Sequence, residues 1–346
     1  MRQKVTIVGL GLIGGSIGLG LKQWSNRNGK RDDVLDITGF DIDLDNQNYA
    51  KKIKAVDRTE WNIVSAVESA DLVILAVPAL ATREVMENIG SRLRDGTVVC
   101  DVSSTKADVM KWAEELLPPT VHFIGTHPMA GGSRSIESAD GDLFRGATWC
   151  VVPSVQADEA AVQTVLGLVS ALGAEPLFVD AHEHDGFVGA ISHLPFVLSI
   201  ALMRAVSSDP AWRDMQQLSA TGFQDVSRLA GASAEMHRDI CVTNREAVTR
   251  WIDEAVDELQ QIRSLVSAGT EEADESLLQV FEEARDARAR WATRERGDGS
   301  LVQGTDDELV DFSVGGQFSQ LVFGSFLRRK PRFGSSDSKN GKNSRR

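Results

Sequence analysis

The chain is poor in cysteine. Cys100, Cys150 and Cys241 are the three it holds in 346 residues, an odd number at wide spacing. That excludes a disulfide framework, gives no metal-ligand spacing, and points to free thiols in a reducing compartment. No basic stripe crosses the region expected to fold, and 37 Lys and Arg stand against 50 Asp and Glu, so nucleic acid is not an expected partner. No apolar run approaches the roughly 20 residues of a membrane span. The N-terminus enters a strand at once and shows no leader pattern. No internal repeat is visible. These absences predict a cytoplasmic protein with a small-molecule ligand, without nucleic acid or membrane.

Glycine is concentrated where it carries chemistry. The β-branched run Val5-Thr6-Ile7-Val8 leads into Gly9-Leu10-Gly11-Leu12-Ile13-Gly14, and an apolar, Gly-rich helix pattern follows. In a strand–turn–helix context the first glycine allows the turn. The second lets backbone approach a pyrophosphate, and the third lets helix pack on strand. A second strand, Asp36-Ile37-Thr38-Gly39-Phe40-Asp41, ends in an acid, and the polar stretch Ser25–Asp33 reads as a loop that lengthens the gap before it. A carboxylate accepts from a ribose 2′-hydroxyl and repels a 2′-phosphate. Asp41 therefore predicts NAD rather than NADP, with no metal.

Apolar runs at 70–78, 96–101, 121–125, 147–152 and 175–179 alternate with helical patterns. This is the signature of a doubly wound, Rossmann-type α/β domain with a parallel sheet covered on both faces. Ligands in such sheets sit at the carboxyl ends of the strands. Val77 and Pro78, and the segments after Asp101 and Gly125, are thus expected around the cofactor. Strand signals stop after Asp180. The expected domains are 1–181 (dinucleotide-binding), 182–293 (all-α) and 294–346 (a flexible tail that is basic from Arg328 on). Val248, Ile252, Ala255, Leu259, Ile262 and Val266 are spaced 4, 3, 4, 3 and 4, a heptad seam that serves either a local bundle or a dimer interface.

Two strand ends offer reactive groups. Ser103 and Ser104 follow the strand ending at Cys100-Asp101; they suit a helix cap, a substrate contact, or both. His127, in Gly125-Thr126-His127-Pro128, is expected just after a strand, pinned by proline and flanked by Gly131-Gly132. A lone histidine is more often structural, but this place suits a proton acceptor, whose ordinary pKa of roughly 6.5 fits work near neutrality. His182-Glu183-His184-Asp185 is read as the polar start of the first helix of the second domain. Its histidines are two apart, which does not place both on one helix face for a metal.

Together Gly9–Ser16, Asp101–Lys106 and Gly125–Gly132 resemble the prephenate/arogenate dehydrogenase family of tyrosine biosynthesis. Ser192-His193-Leu194-Pro195, Thr221–Ala230 and Glu235–Ile240 with Asn244 extend the likeness, which covers roughly residues 4 to 292. The resemblance implies His127 as the catalytic histidine, assisted by Ser104. It implies His193 lining the substrate pocket, Arg228 binding a substrate carboxylate, and helical dimerisation. Arg134 is the next candidate for the carboxylate. The plain alternative for Arg228 is a surface ion pair with Asp225. Two positions depart from the family pattern: Phe196 stands where many members carry a second histidine, and His237 where tryptophan is common. The implied activity is NAD-dependent oxidative decarboxylation of prephenate by a homodimer, with arogenate as the alternative substrate. A β-hydroxyacid dehydrogenase is a weaker reading, since that build uses a helical-domain lysine and residues 180–290 contain none. A dinucleotide-sensing protein without turnover leaves His127 and Ser104 unexplained.

Overall fold

A computed structural model describes residues 3–28, 35–132, 135–155 and 157–296. The strands are β1 (Gln3–Val8), β2 (Leu35–Phe40), β3 (Arg58–Thr59), β4 (Leu72–Leu75), β5 (Val98–Asp101), β6 (His122–Pro128), β7 (Thr148–Pro153) and β8 (Glu175–Phe178). Among them run α1 (Leu12–Asn28), α2 (Leu44–Lys52), α3 (Ile63–Val67), α4 (Ala79–Ile89), α5 (Ala107–Leu116) and α6 (Glu159–Ala171). The helical half follows as α7 (Ala181–Val188), α8 (Leu194–Ser207), α9 (Trp212–Met215), α10 (Thr221–Ser227), α11 (Ala234–Thr243), α12 (Arg245–Ala268) and α13 (Glu271–Arg296).

The strands form one sheet in the order β3-β2-β1-β4-β5-β6-β7-β8. The pairs from β3 to β6 are parallel, and β4 and β5 are buried along their whole length, as strands covered on both faces must be. The expectation of an all-parallel sheet needs one correction: β6 and β7 pair antiparallel. The described residues between them hold a 3₁₀ turn, Ile136–Ser138, and no crossover helix. A parallel return needs such a crossover, so the chain turns back instead. That pairing also lengthens β6, expected to end at Gly125, through Pro128. His127 therefore lies within the strand, opposite Cys150. The loop expected from Ser25 is corrected too, since α1 runs on to Asn28.

Helices α7 and α8 are continuous through a π turn at Gly189–His193. This helix, Ala181–Ser207, is 27 residues long with an 18-residue window of mean hydropathy 1.8, long and apolar enough to cross a membrane by length and composition. That corrects the expectation that no run approaches such a length. The helix nevertheless carries His184, Asp185 and His193, all buried, so its polar face is tied into the protein interior. The late apolar residues from Phe312 to Leu327 and the basic stretch from Arg328 lie outside the described residues.

Candidate active site

Residues of the cofactor loop behave as their types require. Gly9 turns the chain after β1 at φ +91°, and a Cβ there would run into the Ala76 carbonyl. A Cβ on Gly14 would strike the Gly9 carbonyl, whereas one on Gly11 would meet nothing within 4 Å. The loop is thus closed on its protein side and open at Gly11, the cradle a pyrophosphate needs. Asp41 follows β2 directly. Its Oδ2 accepts from Leu10 N at 2.7 Å and its Oδ1 from Asp43 N at 2.8 Å, which fixes the carboxylate beside the loop. Val77, half-buried, and Pro78, the residue before α4, stand at the end of β4 next to Gly9. Leu12 lines a cleft of about 430 Å³ with Gly131, Gly132 and Arg228. Ile13 lies against Gly131, 3.1 Å from where a Cβ there would be.

The ends of β5 and β6 are locked by a buried ion pair. Lys106 Nζ pairs with Asp101 Oδ2 and donates to Thr126 O at 2.8 Å, while Thr126 N donates to Asp101 Oδ1 at 3.0 Å. Ser103 is buried, its Oγ 3.3 Å from Thr82 Oγ1. Ser104 is half-buried in the β5–α5 connection, and its hydroxyl makes no hydrogen bond among the described residues. Neither serine caps α5. Asp185 reaches across from α7 instead, its Oδ1 accepting from Lys106 N at 2.8 Å and its Oδ2 from Ala107 N at 2.9 Å.

His127 is 9% exposed, and its Nδ1 lies 2.9 Å from His184 Nε2. His184 Nδ1 in turn lies 2.8 Å from Asp185 Oδ1. Burial holds the His127 imidazole well below its ordinary pKa of 6.5, and His184, Lys106 and His193 push the same way. The ring is therefore neutral at pH 7, as a proton acceptor must be. The expectation that it titrates near neutrality is corrected downward.

His193 closes the π turn and is fully buried. Its Nδ1 lies 3.1 Å from Asn244 Nδ2, which also donates to Asp185 O at 2.7 Å. Burial brings its pKa down to about 4. Its Nε2 is buried without a hydrogen-bond partner, an orphan donor or acceptor of the kind a bound ligand satisfies. Arg228, just after α10, is exposed and makes no ion pair with Asp225 or any other described residue. It faces the cleft shared with Leu12 and Gly132. No contact among the described residues joins it to His127 or His193. Arg134 lies outside the described residues. His184, Asp185, Lys106 and Asn244 were not among the residues singled out as site candidates. Asp185, Gly189 and His193 recur every four residues and are buried, the helical spacing that sets a polar face on one side of α7 and the π turn. Among the described residues no group of three or more His, Cys, Asp or Glu side chains could hold a metal ion.

Residues 26–177 match the family described as the prephenate dehydrogenase nucleotide-binding domain, and residues 180–283 match the prephenate dehydrogenase dimerization domain. The chain is 32% identical over 300 residues to prephenate dehydrogenase of Bacillus subtilis, covering 86% of this chain and 78% of that one. It is 33% identical over 291 residues to that of Lactococcus lactis, covering 83% and 77%. A solved structure of prephenate dehydrogenase from A. aeolicus, in complex with hydroxyphenyl propionate and NAD+, superimposes with a TM-score of 0.75 at 26% identity, covering 84% of this chain and 98% of that one. The sequence motifs, the fold and these likenesses agree: the chain belongs to the prephenate dehydrogenase family.

Proposed function

We propose that this protein is an NAD-dependent prephenate dehydrogenase that converts prephenate to 4-hydroxyphenylpyruvate. The observation that carries the reading is His127, buried and neutral at the carboxyl end of β6, with Nε2 free of any partner among the described residues. NAD fits the loop that is open at Gly11 and flanked by Asp41, and when bound its nicotinamide takes up the hydride. His127 draws the proton of the ring C4 hydroxyl as hydride leaves C4. Carbon dioxide then leaves the ring carbon bearing the carboxylate, the ring becomes aromatic, and the proton returns to the phenolic oxygen. Ser104 assists from the β5–α5 connection. His193 offers its orphan Nε2 to the substrate. Arg228, free of protein carboxylates, supplies a bidentate fork for a substrate carboxylate, and Arg134 remains a second candidate for that role.

The reading extends to assembly. The heptad seam of α12 is buried at Val248 and exposed at Leu259 and Val266, while Leu278 and Phe281 of α13 are exposed as well. Apolar side chains left open on a dimerization domain support a homodimer. Sedimentation at micromolar protein tests it, and a monomer overturns it. The start of α7 at Ala181 supports reading 1–181 as the dinucleotide-binding part and 182–293 as the helical part. Three free cysteines, two of them buried, support a cytoplasmic place. Initial rates of NADH formation on prephenate and on arogenate test the activity. A clear preference for arogenate replaces the keto acid with the amino acid as substrate.

A further inference from the structure

A neutral histidine can accept a proton at Nε2 only if its own ring proton sits on Nδ1, so whatever faces Nδ1 decides whether His127 is a base. Nδ1 faces His184 Nε2 at 2.9 Å, with the two rings edge to face at 71°. His184 Nδ1 faces Asp185 Oδ1 at 2.8 Å. A carboxylate only accepts. His184 therefore donates from Nδ1, and with its single ring proton placed there its Nε2 is an acceptor. Among the described residues the group that faces it and can donate is His127 Nδ1–H. Propagated along the chain, the carboxylate leaves the lone pair of His127 on Nε2.

The carboxylate is itself held by the fold. Its two oxygens take the first free amides of α5, Lys106 N and Ala107 N, and its backbone carbonyl accepts from Asn244 Nδ2 at 2.7 Å. A helix N-terminus favours an anion there. The other charged or titratable groups near His127 leave this order intact. Lys106, from the β5–α5 connection, is occupied by Asp101 and Thr126 O, and His193, from the π turn, bonds Asn244.

We propose that Asp185 and His184 are positioning residues that fix the tautomer of His127, so that Nε2 is the proton acceptor. The proposal rests on the reading of His127 as the base. In the step, the hydroxyl O–H bond breaks and an N–H bond forms at His127 Nε2. The Nδ1–H stays donated to His184, whose link to Asp185 stabilises the imidazolium. The proton returns from Nε2 to the phenolic oxygen, and no proton reaches Asp185. Reversed, the order places a proton on His127 Nε2 and blocks acceptance.

Two variants separate this role from packing. His184→Phe keeps ring volume and leaves the Asp185 cap on α5 intact, but removes the acceptor facing His127. His184→Gln keeps a carbonyl acceptor toward His127 and an amide donor toward Asp185. The expected result is a kcat fall of about tenfold or more in His184→Phe, with KM for NAD unchanged, and recovery of most of that loss in His184→Gln. Independently of turnover, NMR of the wild-type protein carrying ¹⁵N-labelled histidine rings should show His127 protonated at Nδ1 and bare at Nε2 at neutral pH. A wild-type His127 protonated at Nε2, or a His184→Phe enzyme at the wild-type kcat, overturns the proposal. The tautomer measurement needs no substrate, so a failure of the prephenate reading leaves it legible.

Discussion

Phe196 and His237 lie face to face, their ring centroids 4.1 Å apart and their planes 6° from parallel. These are the two positions at which the chain departs from the family pattern, and they form one pair. Burial lowers the pKa of His237, so the stack is between two neutral rings at pH 7. The Phe196 and His193 ring centroids are 6.0 Å apart, so the pair packs beside the histidine that carries the orphan Nε2. Aromatic pairs of this kind couple by about 0.5–1.5 kcal/mol. A double-mutant cycle of Phe196→Ala and His237→Ala, read by denaturation, should return a coupling in that range. Strict additivity would show that the two rings do not act together.

The low pKa of His127 sets the acid side of the rate profile. The base works only while neutral, and burial, His184, Lys106 and His193 all push its pKa below 6.5. kcat/KM should therefore stay level as pH falls from 7 to 6.5 and drop only below that. An acid limb at or above 6.5 contradicts this environment. Stability follows the same sense for His193. The unfolded ring takes a proton below about 6.5, but the folded ring only below about 4. The unfolded state then binds more protons between those values, so stability should fall as pH drops through that window.

The glycines of the loop should respond differently to alanine. At Gly14 a methyl group strikes the Gly9 carbonyl, so Gly14→Ala should lower both stability and NAD affinity. At Gly11 it meets no protein atom within 4 Å, so Gly11→Ala should fold with wild-type stability yet bind NAD at least tenfold more weakly. Calorimetry of folding and titration with NAD read the two effects separately. Unchanged NAD affinity in Gly11→Ala would move the pyrophosphate elsewhere.

Arg228 carries the carboxylate assignment. Arg228→Ala should raise KM for prephenate strongly with a smaller change in kcat, because a clamp on a spectator carboxylate serves ground and transition states alike. Arg228→Lys should restore only part, since lysine lacks the fork. An unchanged KM would leave Arg228 as a surface residue of the cleft.

The first half of the chain was legible because its signals are local. A β-branched run, three glycines at fixed spacing and an acid after the second strand specify strand, turn, helix and a carboxylate beside the loop within some forty residues. The antiparallel return of β7 was not legible, because strand direction is settled by the connection rather than by the strand's own residues. His184 and Asp185 were read as the polar start of a helix. They do lie at the start of α7, which Asp180 caps by accepting from His182 N and Glu183 N, but His184 and Asp185 are buried rather than turned to solvent. Charge on a helix start marks solvent only when no other element covers it, and α5 covers this one.

The measurement that bears most directly on the account is NADH formation by the purified protein on prephenate, wild type beside His127→Asn. The wild type should reduce NAD with release of carbon dioxide. His127→Asn keeps a polar side chain of similar size but has no titratable base, so it should bind NAD as the wild type does and turn over slower by a factor on the order of 10² or more. A wild-type protein that forms no NADH from prephenate, or a His127→Asn variant that turns over at the wild-type rate, would contradict it.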